Sequence, residues 1–279
     1  MKNFLFSRLS ISLIGIPTLL YIISKGNFLY FSFLFTVISL SLLELFNFEK
    51  ILSSWKISIV GMLLSLGICL GYAQVFLPNE FLPFIDIKII FSINISLLIL
   101  YFMSEVVSVN DKKFQKISML ILGVVYIPLL LGAAIAIRGF DELQGSRFTL
   151  LLFITVWTTD SFAYIIGNNF GKHKFIEKIS PNKTTEGFIG GFFGALLCVY
   201  LMNYFDFINF ELSNFHLLSI AIIIGIFGQL GDFIESMIKR EFDIKDSGKI
   251  LMGHGGFLDR FDSLIVSSPL ILIFIFYIT

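Results

Sequence analysis

Charge and glycine concentrate late in the chain. Gly231-Asp232-Phe233-Ile234-Glu235-Ser236-Met237-Ile238-Lys239-Arg240 is followed by Lys245-Asp246-Ser247-Gly248. The run then closes on Gly253-His254-Gly255-Gly256-Phe257-Leu258-Asp259-Arg260-Phe261-Asp262. Carboxylates interleaved with basic groups suit a hard divalent cation that also holds phosphate, the combination that phosphoryl or nucleotidyl transfer demands. Asp232 follows the apolar run Ile220 to Leu230, so its carboxylate must be bound or face water. On a helix, Asp232, Glu235 and Lys239 share a face. For Glu235 the expected role is an ion-pair ladder where the helix leaves lipid. His254 has no His or Cys companions and makes a poor transition-metal site. Its Gly-His-Gly-Gly setting has two readings: a tight turn needing positive φ, or bare backbone that lets a nucleotide approach.

A second polar cluster lies upstream. Trp157-Thr158-Thr159-Asp160-Ser161-Phe162-Ala163-Tyr164 carries a carboxylate inside an apolar run. Inserting such a group costs about 3 kcal/mol, so Asp160 should face the bundle interior or a wet cavity. Then come Gly171-Lys172 and Ser180-Pro181-Asn182-Lys183-Thr184-Thr185-Glu186-Gly187. Hydroxyls, Lys183 and free N–H groups at a helix N-terminus make an anion site. Capping by Thr184 or Thr185, with Glu186 in the first turn, is compatible with that role. Gly187, Gly190, Gly191 and Gly194 read as close helix packing and not as a dinucleotide fingerprint, since no strand precedes them.

These residues must be positioned by membrane helices. Of 279 residues, 56% are hydrophobic and only 14% charged, with a mean hydropathy of +0.90, which excludes a water-soluble globular domain. Twenty Lys and Arg balance 20 Asp and Glu, giving no net positive charge for nucleic-acid binding. Cys69 and Cys198 sit in apolar runs and read as small core- or lipid-facing residues. Apolar runs long enough to span a bilayer predict nine helices: 9–24, 28–46, 57–77, 87–103, 117–137, 148–167, 186–205, 215–235 and 263–279. The fold class expected is an all-α polytopic membrane protein: a single domain 1–279, with N-terminal helices in 1–150 and the catalytic helices and loops in 151–279. Lys2 and Arg8 precede the first span, but no small-x-small cleavage pattern follows, so that span reads as a retained anchor. With the N-terminus in the cytosol, only Lys25, Lys88, Arg138 and Arg147 fall outside among all Lys and Arg. Loops 168–185 and 236–262 then face the cytosol. Glu44, near the inner end of the second span, reads as snorkelled and structural.

The stretch Ser236 to Asp262 resembles the signature of the CDP-diacylglycerol synthases, or phosphatidate cytidylyltransferases. Ser236, Lys239, Arg240, Lys245, Asp246, His254, Gly255, Gly256, Asp259, Arg260 and Asp262 fall in register. Trp157, Asp160, Tyr164, Ser180, Pro181, Lys183, Thr184, Glu186 and Gly187 match upstream. Met252 and Asn182 depart, standing where the family tends to have Pro or Gly and a second Lys. The resemblance implies cytidylyl transfer from CTP to phosphatidate in a bacterial-type inner membrane. It also implies a magnesium requirement and a homodimer. By position, Asp232 and Asp259 would be the metal pair, and Lys239, Arg240, Asp246 and Asp160 the catalytic set. Ser180, Lys183, Thr184, Lys245, His254, Gly255, Gly256 and Arg260 would line the CTP and phosphate site. Asp160 would hold a second cation or orient a lysine. The rival readings are a CTP-dependent lipid kinase and an ion-coupled transporter. Against the transporter stand the missing internal repeat and the bunching of charge at one boundary.

Overall fold

The computed structural model describes residues 2–48, 55–77, 86–109, 112–208, 211–248 and 255–279, with side chains from Leu13 onward. His254 and Met252 lie outside the described residues. The described chain is almost entirely helical, and its single β-bridge pairs Lys174 with Thr184. Every expected apolar run forms a helix: α1 (Lys2–Lys25), α2 (Asn27–Phe46), α3 (Trp55–Phe76), α4 (Ile87–Val107), α5 (Lys113–Gly139), α6 (Gln144–Phe170), α7 (Thr185–Tyr204), α8 (Asn214–Glu241) and α9 (Leu258–Ile278). All but α1 are long and apolar enough to cross a membrane over their described lengths. In α1 the described apolar part is Leu13–Lys25. Several helices outrun their apolar cores because the backbone can satisfy its own hydrogen bonds past the lipid boundary. That extension keeps Lys239 and Arg240 on the same helix as Asp232 and Glu235, which lie at the end of the expected span.

The chain divides into two compact units. One comprises Met1–Phe140 and Asp246–Arg260. In it, Phe46 of α2 is fully buried because Gly61 of α3 and Gly123 of α5 lack side chains where its ring lies. Pro128 cannot donate to the helix ladder, and α5 answers with a π-helical turn over Val125–Leu129. At its last residue, the Tyr72 hydroxyl of α3 donates to the Leu129 carbonyl at 2.8 Å. Buried Arg138 donates through Nε to the Ile23 carbonyl at 2.7 Å, holding the turn between α1 and α2.

The other unit comprises Asp141–Lys245 and Phe261–Thr279. Its tightest seam joins α6 to α7, where Gly187 approaches Gly167 and the Ala163 carbonyl, Gly190 meets Ile166, and Gly194 meets Phe162. Gly191 faces the Gln229 amide of α8, which donates to the Phe188 carbonyl at 3.0 Å. All four glycines are buried, as the packing reading expects. Between α8 and α9, a Cβ on Gly231 would stand 2.7 Å from the Asp262 carbonyl. Glycine at this crossing is what lets the two acidic helix ends come together. Cys69 and Cys198 are free and buried, one in each unit.

Candidate active site

In the unit containing α6 to α8, one carboxylate oxygen from each of Asp232, Glu235 and Asp262 lies within 4.8 Å of the other two. Asp232 and Glu235 are one turn apart on α8, and Asp262 is brought opposite by the Gly231 crossing. Three charges so placed repel one another by roughly 3–4 kcal/mol per pair at an effective dielectric of about 20. Two lysines offset part of this. Lys183 Nζ forms an ion pair with Asp232, and Lys239 Nζ lies 2.5 Å from Glu235. The Glu235 and Lys239 side chains are 1% and 10% exposed. The expected ladder at Glu235 is therefore present but buried, a correction to its placement at an exposed exit from lipid. Burial disfavours a charge on Asp262, Asp232 and Asp160 repel it, and Lys183 offsets part of that cost. All-oxygen donors with compensating lysines fit a hard divalent cation.

The loop between α6 and α7 is folded against this cluster. Phe175 stacks on Phe188 with centroids 4.5 Å apart and meets Phe233 at 5.2 Å. Lys183 Nζ lies 4.5 Å from the centre of that same Phe233 ring. Thr184 caps α7, its Oγ1 accepting from Gly187 N at 3.2 Å. Glu186 accepts from the His173 ring and from the backbone N–H groups of Lys172 and His173. Ser180 takes part through its backbone, accepting from Lys183 N at 3.3 Å. Arg240 donates to the carbonyls of Ile179 and Ile244 at 3.2 and 2.6 Å, so it binds two loops to the end of α8.

The other unit holds the second half of the signature. Asp259 Oδ2 accepts from Ser247 N at 3.0 Å and Gly256 N at 2.7 Å. Gly255 adopts φ +78°, and a side chain there would run into that same oxygen. At Gly256 a side chain would meet the Ser247 hydroxyl and Glu44. A positive-φ turn and close approach by carboxylates thus account for the two glycines within the described residues. Glu44 is 5% exposed, not snorkelled. It accepts from Ser247 Oγ, Phe257 N and Leu258 N, each at 3.0 Å. Lys245, Asp246 and Arg260 are exposed.

Asp232 and Asp259 fall in different units, whereas Asp232 has Glu235 and Asp262 beside it in its own. Asp262 and Glu44 carried no assigned chemistry in the sequence. The two i,i+3 acidic pairs, Asp232 with Glu235 and Asp259 with Asp262, were the available signal for Asp262. Nothing local announces the partners of Glu44.

Residues 6–278 match a model of the cytidylyltransferase family. A phosphatidate cytidylyltransferase of Staphylococcus aureus (strain COL) is 36% identical over 263 residues, covering 93% of this chain and 95% of the relative. Enzymes of the same name from Staphylococcus saprophyticus and Staphylococcus epidermidis are 35% and 36% identical over 261 and 265 residues, with the same coverage.

Proposed function

Because this chain belongs to the cytidylyltransferase family, we propose that it is a membrane-bound phosphatidate cytidylyltransferase, making CDP-diacylglycerol and pyrophosphate from CTP and phosphatidate for phospholipid biosynthesis. A phosphate oxygen of phosphatidate attacks the α-phosphorus of CTP. The new P–O bond forms as the bond to the β-phosphate oxygen breaks, and pyrophosphate leaves. The attacking oxygen is already anionic at neutral pH, so the protein supplies position and charge and not a strong base. The observation that carries this reading is the gathering of Asp232, Glu235 and Asp262 beside Lys183 and Lys239.

Asp232 and Asp262, with Glu235 behind them, would hold magnesium; Asp259, matched by the family signature, is the further candidate ligand. When bound, the cation neutralises phosphate oxygens and orients them. Lys183 exchanges Asp232 for a phosphate group of the substrate. Lys239 holds Glu235 in place, and Arg240 keeps the 171–184 loop seated. Asp160 orients Lys183 or holds a second cation. Lys245, Asp246, His254 and Arg260 contact the nucleotide. The positive-inside charge distribution supports a cytoplasmic-face site in the bacterial inner membrane, and the family resemblance supports a homodimer.

The test is product identification from membranes given labelled CTP, phosphatidate and magnesium. CDP-diacylglycerol with pyrophosphate supports the assignment. Phosphorylated lipid with CDP would instead identify a lipid kinase. Uptake of a solute without CTP would identify a transporter.

A further inference from the structure

Glu44 lies about 200 residues before the signature loop in sequence, yet it is tied to both ends of it. The Ser247 hydroxyl donates to it from the start of the loop; Phe257 N and Leu258 N donate from the end. The last two are among the otherwise unpaired N–H groups of the α9 N-terminus, where a carboxylate is favoured by both hydrogen bonding and the helix dipole. Gly248 and Gly256 complete the cradle, since a side chain at either would strike the Glu44 carboxyl group. Asp259 adds a second tie between the same ends through Ser247 N and Gly256 N. A buried acceptor surrounded by three donors and two missing side chains is a built joint.

We propose that Glu44 is a positioning residue for the cytidylyl-transfer reaction: it ties Ser247, at the start of the loop, to Phe257 and Leu258, at its end, so that the flanking nucleotide-contacting residues Asp246 and Arg260 are held for CTP. This rests on the assignment of that loop to CTP.

The test uses full-length enzyme in detergent, with Glu44→Gln, Ser247→Ala and the double variant. In the Glu44→Gln variant the new amide nitrogen faces a donor wherever it points, so at least one bond to the loop is lost. For a buried donor left unmatched this is a loss of about tenfold or more. The expected result is a KM for CTP raised about tenfold or a kcat per folded enzyme lowered by as much, with the KM for phosphatidate within about twofold of wild type. The double variant should be no worse than the poorer single variant, because both break one joint. Folded enzyme is counted by thermal unfolding, which separates kinetic loss from misfolding. Wild-type kinetics in Glu44→Gln, a loss that only follows the folded fraction, or multiplicative effects in the double variant would overturn the proposal. A wild-type enzyme without cytidylyl transfer would instead overturn the functional assignment.

Discussion

Replacing Asp262 by Asn removes one charge from a cluster in which it has two carboxylate neighbours within 4.8 Å. Each neighbour repels it by up to roughly 3–4 kcal/mol at an effective dielectric of about 20, so the metal-free protein gains stability when that charge is deleted. Lys183 and Lys239 already offset part of the repulsion, so the net gain should be a fraction of that figure, on the order of 1–2 kcal/mol. Magnesium then has less to relieve. A ligand at 100 times its Kd stabilises the wild type by about 2.7 kcal/mol, and the variant should gain less than about half of that at the same concentration. Turnover should fall about 100-fold, with half-saturating magnesium raised. The assay is thermal unfolding in detergent with and without magnesium, alongside CTP-dependent activity. A metal-free melting temperature that falls, together with an unchanged magnesium shift and an unchanged magnesium optimum, would refute the cluster as a cation site.

Asp232→Asn and Asp259→Asn should each nearly abolish turnover while the protein still reaches the membrane, measured as CDP-diacylglycerol formed per unit of folded enzyme; activity near wild type in either removes that residue from the machinery. Lys239→Met strips buried Glu235 of its ion-pair partner and should destabilise the protein by about 3–5 kcal/mol, with Glu235→Gln in the same chain recovering most of it in thermal unfolding. Gly255→Ala forces an L side chain into φ +78° against Asp259, costing about 1–2 kcal/mol and lowering kcat about tenfold in the same assay.

The helices were legible because a bilayer imposes a length on every apolar run. The run 215–235 announced a span even though its helix continues to Glu241. Charged residues at that end could be placed on one face of α8 from spacing alone, and Asp232, Glu235 and Lys239 do share it. What spacing does not encode is which helix lies opposite. Asp262 joins Asp232 because Gly231 lets α8 press on the Asp262 carbonyl, a contact between distant segments. Glu44 looked like an isolated acid near a helix end, for which snorkelling is the cheapest solution. Its burial is stable only because donors from Ser247, Phe257 and Leu258 arrive from far along the chain. Likewise, glycine spacing suggested packing at Gly187, Gly190 and Gly194, but the partners Gly167, Ile166 and Phe162 required the fold.

The claim that Asp232 and its neighbours hold the cation is tested most directly by manganese binding to the purified chain without nucleotide or lipid. Paramagnetic titration of the wild type should show a saturable manganese site competed by magnesium, and Asp232→Asn and Asp262→Asn should each weaken it about tenfold or more. Equal binding in all three proteins, or no saturable binding in the wild type, would contradict it.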